Sequence, residues 1–106
     1  TPQELALMDV QRGIQMFDKT KIKIVGLVDN MSFFKTEDGK KHNIFGEGGV
    51  EKTAKEFNKN FLGKIPISTK LRESADLGLP LIYKEPGDEI SKVFLDIADK
   101  VMQDVA

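Results

Sequence analysis

Residues 22–32 read IKIVGLVDNMS, a short β-branched run that passes directly into polar residues. Apolar residues at successive positions over this length predict a strand at residues 22–28 that is buried on both faces. Asn30 then lies just past the carboxyl end of that strand. Because open α/β sheets bind ligands outside the carboxyl ends of their strands, this stretch indicates both a fold class and a place for a site.

The rest of the chain alternates helix and strand patterns around this run. A second short strand is predicted at residues 61–65 (FLGKI), and Pro66 is expected to end it. Apolar residues at helical spacing predict four helices, at residues 2–17, 49–58, 69–77 and 88–104. Strands that alternate with helices predict an α/β fold built on a partial parallel sheet flanked by helices.

The segment between the two predicted strands has its own pattern. Residues 33–45 have aromatic ends and a polar middle, and Asp38-Gly39 is a turn signal inside them. This combination is typical of a hairpin or an ordered flap.

Cap residues predict where the helices begin and end. Thr1 stands where an N-cap of the first helix is expected, and that helix should be well buried because apolar residues surround most of it. Ser68 or Thr69 is expected to cap the third helix, with Gly78 just past its end. Residues 79–83, which follow, are predicted to be extended.

Composition excludes several classes of protein. The chain has 106 residues, enough for one domain, and its hydrophobic fraction of 40% argues against disorder. A net charge of −1 gives no basic excess for nucleic acid. The absence of cysteine excludes disulfides and thiolate metal sites, and it fits a reducing cytoplasm. No apolar run approaches the roughly 20 residues that span a bilayer.

The predicted sheet is unfinished, because parallel strands need neighbouring strands at both edges and helices on both faces. A chain that opens on a helix cap rather than on an initiator Met points the same way. We therefore expect residues 1–106 to be a portion of a single domain whose remainder lies outside this sequence.

Several short motifs occur in order along the chain. They are Thr1-Pro2-Gln3, Asn30-Met31-Ser32 before two aromatic residues, Ile44-Phe45-Gly46, Ile65-Pro66-Ile67, and Arg72-Glu73 with Asp76, Gly78 and Pro80. This series resembles the C-terminal half of the Mrp/ApbC proteins, which are similar to MinD/ParA-type P-loop ATPases. The resemblance implies a dimeric ATPase that binds and transfers iron–sulfur clusters. It also implies that this chain is the C-terminal portion of a MinD-like fold without its phosphate-binding half.

Residues 46–53 read GEGGVEKT, which is close to the GKGGVGKS phosphate-binding loop of that family. A P-loop needs a glycine just before its lysine, because backbone N–H groups wrap the phosphates there. Glu51 occupies that place here, and Glu47 replaces the lysine that marks the family's loop. We therefore expect a glycine-rich helix start and no phosphate site.

Asn30 is the leading candidate for a binding residue. Its amide carries an acceptor and a two-hydrogen donor, which complement the N6/N7 edge of adenine. The alternative is a turn residue that satisfies local backbone groups, and the residues alone favour it. The resemblance favours base contact, and it implies that Pro66 and Ile67 also contact the base of ATP. A proline is equally common where a strand simply stops. No catalytic or metal-ligating set is predicted, and the resemblance places the Mg²⁺ ligands upstream.

The segment 35–43 departs from the family pattern. Typical members carry a CxxC there, and two such loops across a dimer hold a bridging cluster through four thiolates. This chain has no cysteine, and oxygen and amine groups are poor substitutes for thiolates at such centres. His42 has no convergent ligands and is interpreted as structural or solvated. Any iron–sulfur cluster is therefore expected to be held by groups outside this segment.

The predicted function is the adenine-contacting and dimer-facing part of a cytoplasmic iron–sulfur carrier ATPase, inactive on its own. Its expected partners are a second copy and the proteins that donate and accept clusters. A MinD/ParA-type positioning ATPase and an interaction domain without a nucleotide role are the alternatives. Residues 88–104 carry more acidic than basic side chains, which disfavours an anionic membrane, and no basic stripe indicates nucleic acid.

Overall fold

The chain alternates helices and strands, as the sequence predicts. The computed structural model describes residues 2–36, 38–43 and 48–105. Its helices and strands follow the order α1 (Pro2–Lys19), β1 (Leu27–Lys35), β2 (Lys41–His42), α2 (Gly49–Glu56), β3 (Phe61–Ile67), α3 (Thr69–Asp76), α4 (Leu81–Lys84) and α5 (Glu89–Val105). The four helices expected from apolar spacing are therefore confirmed, each with slightly different bounds.

The strands form one sheet in the order β2-β1-β3. Strands β1 and β3 are parallel, and the short β2 pairs with β1 in the antiparallel sense. Helix α2 connects the two parallel strands and packs against both, while α5 packs against β3. The predicted α/β class, with a partial parallel sheet flanked by helices, is confirmed, and β2 makes the sheet mixed.

Strand β1 begins later than predicted. The pattern at residues 22–28 indicated a strand, but β1 starts at Leu27. A strand needs a partner, and β3 begins only at Phe61, which lies opposite Leu27. Residues 22–26 extend past that point, so their backbone has no neighbouring strand to pair with in the described chain. Strand β1 also continues beyond residue 28 to Lys35, so Asn30 lies inside it and not past its end.

Strand β3 runs through Pro66 to Ile67, so the expectation that Pro66 ends it was wrong. The ladder pairs Asn30 with Ile65 and then Phe34 with Ile67. Three residues of β1 therefore bulge opposite Pro66, and Met31 takes a left-handed φ of 55° there. A proline has no N–H to donate, so the strand accommodates it where the ladder is already interrupted.

A hairpin leaves the sheet beyond this bulge, as predicted. Phe34 pairs with His42 and Lys35 with Lys41. The turn has Gly39 at φ 84°, which suits a glycine, and the Gly39 N–H donates to the Thr36 carbonyl at 2.9 Å. We call residues 35–43 the hairpin.

Helix α3 has the predicted ends, and the segment after it does not have the predicted form. Ser68 is the N-cap, its hydroxyl accepting from the Leu71 N–H at 3.2 Å, and Gly78 follows the helix at φ 68°. Instead of an extended stretch, Leu81–Lys84 form the short helix α4. Pro80, at φ −57°, immediately precedes it, and Leu81 is buried, so burial overrides the weak local signal.

The core is small. Ile14, Leu27 and Ala54 form its centre, with Leu62, Ile65 and Leu81 also buried. Helix α1 is not well buried, contrary to prediction. Ile14 is its one buried residue among those described, and Leu5, Met8 and Met16 are exposed. Its other apolar residues line cavities that the described elements leave partly open.

Some sequence-based expectations concern residues outside the described ranges. These are the capping role of Thr1 and the Ile44-Phe45-Gly46 motif with Glu47.

Candidate functional site

Two cavities lie where the regular pairing of β1 and β3 ends. The first, which we call the α1 cavity, has a volume of about 290 Å³ and lies between α1, the bulge of β1 and the start of α2. Leu7, Val10 and Val50 supply apolar walls, and Asn30 and Ser32 supply polar groups. Mostly apolar walls with a few polar groups are typical of small-molecule sites.

Asn30 is exposed at the mouth of the α1 cavity, and its side chain already makes one local bond. Its Oδ1 accepts from the Met31 N–H at 3.0 Å. That bond is the local role expected of a turn residue, and it leaves the Nδ2 hydrogens without a partner among the described residues. Nearby, the buried Ser32 hydroxyl donates to Asp29 Oδ2 at 2.9 Å, which fixes the bulge.

The second cavity, which we call the proline cavity, has a volume of about 250 Å³. Its apolar lining includes Phe34, Pro66, Ile67 and Ile90, and its polar lining includes Lys35, Ser68, Lys70 and Glu89. Pro66 and Ile67 therefore share one cavity, and Asn30 lines the other. Because Asn30 is paired with Ile65, the three predicted contact residues are neighbours across the two strands.

The amines at the proline cavity are paired with carboxylates. Lys35 Nζ lies 3.5 Å from Glu89 Oε1, and Lys70 Nζ donates to Asp88 Oδ2 at 3.2 Å. The hydrogen bond with Asp88, followed by the charge of Glu85, raises the pKa of Lys70 above its ordinary value. The rim of this cavity therefore carries no unbalanced positive charge that would favour a phosphate.

The hairpin is closed by oxygen and nitrogen groups. The Thr36 hydroxyl donates to Asp38 Oδ1, which also accepts from the Lys40 N–H at 3.1 Å. The hydrogen bond from Thr36 makes the larger contribution and that from Lys40 the smaller one, and both lower the pKa of Asp38. Lys41 Nζ lies 4.7 Å from the centre of the Phe33 ring, a cation–π contact. His42 is exposed, and within the described ranges no group of three potential ligands could hold a metal ion.

The segment that resembles a P-loop has a packing explanation in its described part. Gly48 takes φ 74° ahead of α2, and a Cβ on Gly49 would lie 2.9 Å from Leu7 Cδ1. The glycines thus allow α2 to begin close against α1, as a glycine-rich helix start would. Glu51 is exposed in the first turn.

Sequence reasoning singled out Asn30, Pro66 and Ile67, and it missed Phe34 and Lys35 as lining residues. The signal in the sequence was the aromatic pair Phe33-Phe34, which directly follows Asn30-Met31-Ser32. Arg72, part of the motif Arg72-Glu73, is exposed on α3 and lines neither cavity. Among the helices of the described chain, none has both the length and the apolar character to span a membrane.

Parallel strands joined by a crossover helix, with cavities where their regular pairing ends, are an arrangement in which α/β proteins commonly bind ligands. A family model described as "ParA: NUBPL iron-transfer P-loop NTPase" matches residues 1–102. The chain therefore belongs to this family of P-loop NTPases, and the resemblance drawn from its motifs is confirmed.

Individual relatives carry names of the same kind. The chain is 41% identical over 102 residues to the "Iron-sulfur cluster carrier protein" of Haemophilus influenzae, covering 95% of this chain and 28% of the relative. It is 39% identical over 104 residues to the "Iron-sulfur cluster transfer protein NUBPL" of Mus musculus, covering 97% and 33%. The carrier protein of Pyrococcus horikoshii is 43% identical over 103 residues, covering 96% and 35%. The chain thus spans about a third of the length of the curated relatives it matches.

Proposed function

We propose that residues 1–106 are the C-terminal portion of a single P-loop ATPase domain that carries and transfers iron–sulfur clusters. The observation that supports this most is the family match over residues 1–102, with relatives named as cluster carriers or transfer proteins. An apolar cavity of about 450 Å³ between α1 and residues 22–27 adds support. In a complete domain, further strands and helices would cover it.

The part played by this chain is contact with the base of ATP. Asn30 pairs with Ile65, next to Pro66 and Ile67 in β3, where the regular pairing of the two parallel strands is interrupted. Ligands of α/β folds bind toward the carboxyl ends of such strands. Asn30 recognises the N6/N7 edge of adenine when its amide turns from Met31 to the ligand. The phosphate cradle and the Mg²⁺ ligands belong to the upstream half, so the 106 residues alone do not hydrolyse ATP.

The cluster is cargo that this segment does not ligate. The chain has no cysteine and therefore no thiolate to bind iron. Hydrogen bonds among Thr36, Asp38 and Lys40 close the hairpin instead of a metal centre. The hairpin faces the second copy of a homodimer, and the cluster ligands lie outside residues 1–106. Cluster donors and acceptors are the partners. The proposed location is the cytoplasm, although one relative is named as mitochondrial.

Nucleotide binding by the longer protein that contains this chain tests the proposal. We expect Asn30→Ala to weaken ATP binding about tenfold and to reduce the preference for ATP over GTP, because one bidentate base contact is worth about 1–3 kcal/mol. Gln15→Ala removes an exposed amide on α1 and should change neither quantity. Equal affinities of the Asn30 variant and the unsubstituted protein for both nucleotides would contradict the role of Asn30. Failure of the unsubstituted protein to bind ATP would contradict the function.

A further inference from the structure

The proline cavity has a feature that the predicted contact residues leave unused. Phe34 lines it together with Pro66 and Ile67 and is 38% exposed, so part of its ring is accessible to a ligand. Phe34 lies in register with Ile67, which places an aromatic ring beside the predicted base contacts. An exposed aromatic ring offers a face on which a planar base stacks.

The charges around the cavity indicate which part of a nucleotide belongs there. Lys35 is paired with Glu89, and Lys70 with Asp88 and Glu85. A phosphate in this cavity would face the carboxylate of Glu89, which lines it, and would compete with Asp88 and Glu85 for Lys70. A neutral planar base meets Phe34 and Ile90 and leaves the ion pairs intact, so the base is the better occupant.

Phe34 also lies at the base of the hairpin, directly before its first residue. The same residue pairs with Ile67 on one side and with His42 on the other. Among the described residues, two pairs join β1 to β2, Phe34 with His42 and Lys35 with Lys41. The ion pair from Lys35 to Glu89 at 3.5 Å ties this short ladder to α5 across the cavity rim. A ligand that contacts Phe34 therefore touches the base of the hairpin directly.

We propose that Phe34 stacks on the nucleotide base and thereby couples occupancy of the site to the order of the hairpin. This rests on the proposed function, since it assigns a further contact residue to the same nucleotide. Binding restrains the Phe34 backbone, and the pairing with Lys41 and His42 becomes more stable. When no nucleotide is bound, the pairing of the hairpin opens more often.

Binding measurements on the longer protein test the stacking. Phe34→Leu should weaken ATP and ADP binding about tenfold, the order of one base-stacking contact. Tyr83→Leu removes an exposed ring on α4 that lines neither cavity and should leave both affinities unchanged. Phe34→Trp should retain binding, and the fluorescence at position 34 should be quenched by ATP. Unchanged affinity in Phe34→Leu, or fluorescence in Phe34→Trp that ignores bound ATP, would overturn the stacking role.

Hydrogen exchange tests the coupling. ATP should slow exchange of the Thr36 and Gly39 amides, which donate within the hairpin turn, by about fivefold or more, and the effect should be lost in Phe34→Leu at saturating ATP. Equal slowing in that variant would overturn the coupling.

The two proposals fail differently. Binding that depends on Asn30 and not on Phe34 leaves the proposed function in place and removes this inference. Absence of ATP binding by the unsubstituted protein removes both.

Discussion

Gly26 illustrates how a single residue determines the approach of two strands. A Cβ at this position would lie 2.6 Å from Leu62 Cγ and 2.9 Å from the Asn60 carbonyl oxygen. That carbonyl also accepts from the Leu27 N–H at 2.8 Å, so it has little freedom to move away. Gly26→Ala should therefore lower the free energy of unfolding by about 1–3 kcal/mol through overpacking.

Gly13 provides the matched control for this prediction. Gly13 lies in the middle of α1, and apart from its chain neighbours and the nearby backbone of that helix, no atom of the described chain lies within 4 Å of where a Cβ would be. Gly13→Ala should raise the free energy of unfolding by about 0.5–1 kcal/mol, because alanine loses less backbone entropy in a helix. Urea unfolding followed by circular dichroism measures both changes. Equal effects of the two substitutions would show that the contact at Gly26 is not tight.

The sequence suggests candidate contact residues, but it does not show which of them line the same cavity. Asn30 and Pro66 each follow a short segment that is predicted from the sequence to be a strand, which a local pattern reveals. Phe34 reaches the same cavity as Pro66 because three residues of β1 bulge between Asn30 and Phe34. No local pattern predicts that bulge, since it depends on the proline in the opposite strand.

At the scale of elements, the start of α5 depends on one carboxylate. Asp88 Oδ1 accepts from the Ile90 N–H at 2.9 Å, and Lys70 donates to Oδ2. The hydrogen bond from the Ile90 N–H lowers the pKa of Asp88 below its ordinary value of 3.8, and the hydrogen bond and charge of Lys70 lower it further. Because the folded-state pKa is the lower one, this stabilisation is present above pH 3.8 and is lost as the pH falls through the folded-state value.

Asp88→Asn keeps an oxygen that accepts from Ile90 and removes the charge that titrates. Between about pH 6 and pH 2.5 the unsubstituted protein should therefore lose more stability than this variant, as measured by thermal unfolding across the range. Asp99→Asn removes an exposed carboxylate of α5 that makes no hydrogen bond within the described chain, and it serves as the control. Parallel pH profiles for Asp88→Asn and the unsubstituted protein would contradict this account of the helix start.

The elements that the sequence predicted best are those decided locally. The periodic apolar residues predicted both ends of α5 to within one residue. Ser68 and Gly78 correctly indicated where α3 begins and ends. The strand was predicted at residues 22–28 but lies at Leu27–Lys35, because the limits of β1 depend on where its partner strand β3 lies. The burial of α1 was overestimated for a related reason, since periodicity reports an apolar face and not what covers it.

At the scale of the whole molecule, the chain combines a small core with apolar surface that its own elements leave open. Val10, Phe17 and Ile22 are exposed beside the cavity between α1 and residues 22–27. Exposed apolar surface of this kind is typical of an interface with further protein. This agrees with the proposal that the chain is one portion of a larger ATPase domain, which supplies the phosphate site and the cluster ligands.

The central claim is that the longer protein carries an iron–sulfur cluster without using this chain as a ligand. Anaerobic cluster reconstitution, with iron and sulfide counted per protein, measures it directly. The unsubstituted protein and a variant with residues 35–41 replaced by a Gly/Ser linker should bind the same amount of cluster. Loss of the cluster in a folded linker variant would contradict the claim by giving the hairpin a ligand role, and absence of a cluster from both proteins would contradict the carrier function itself.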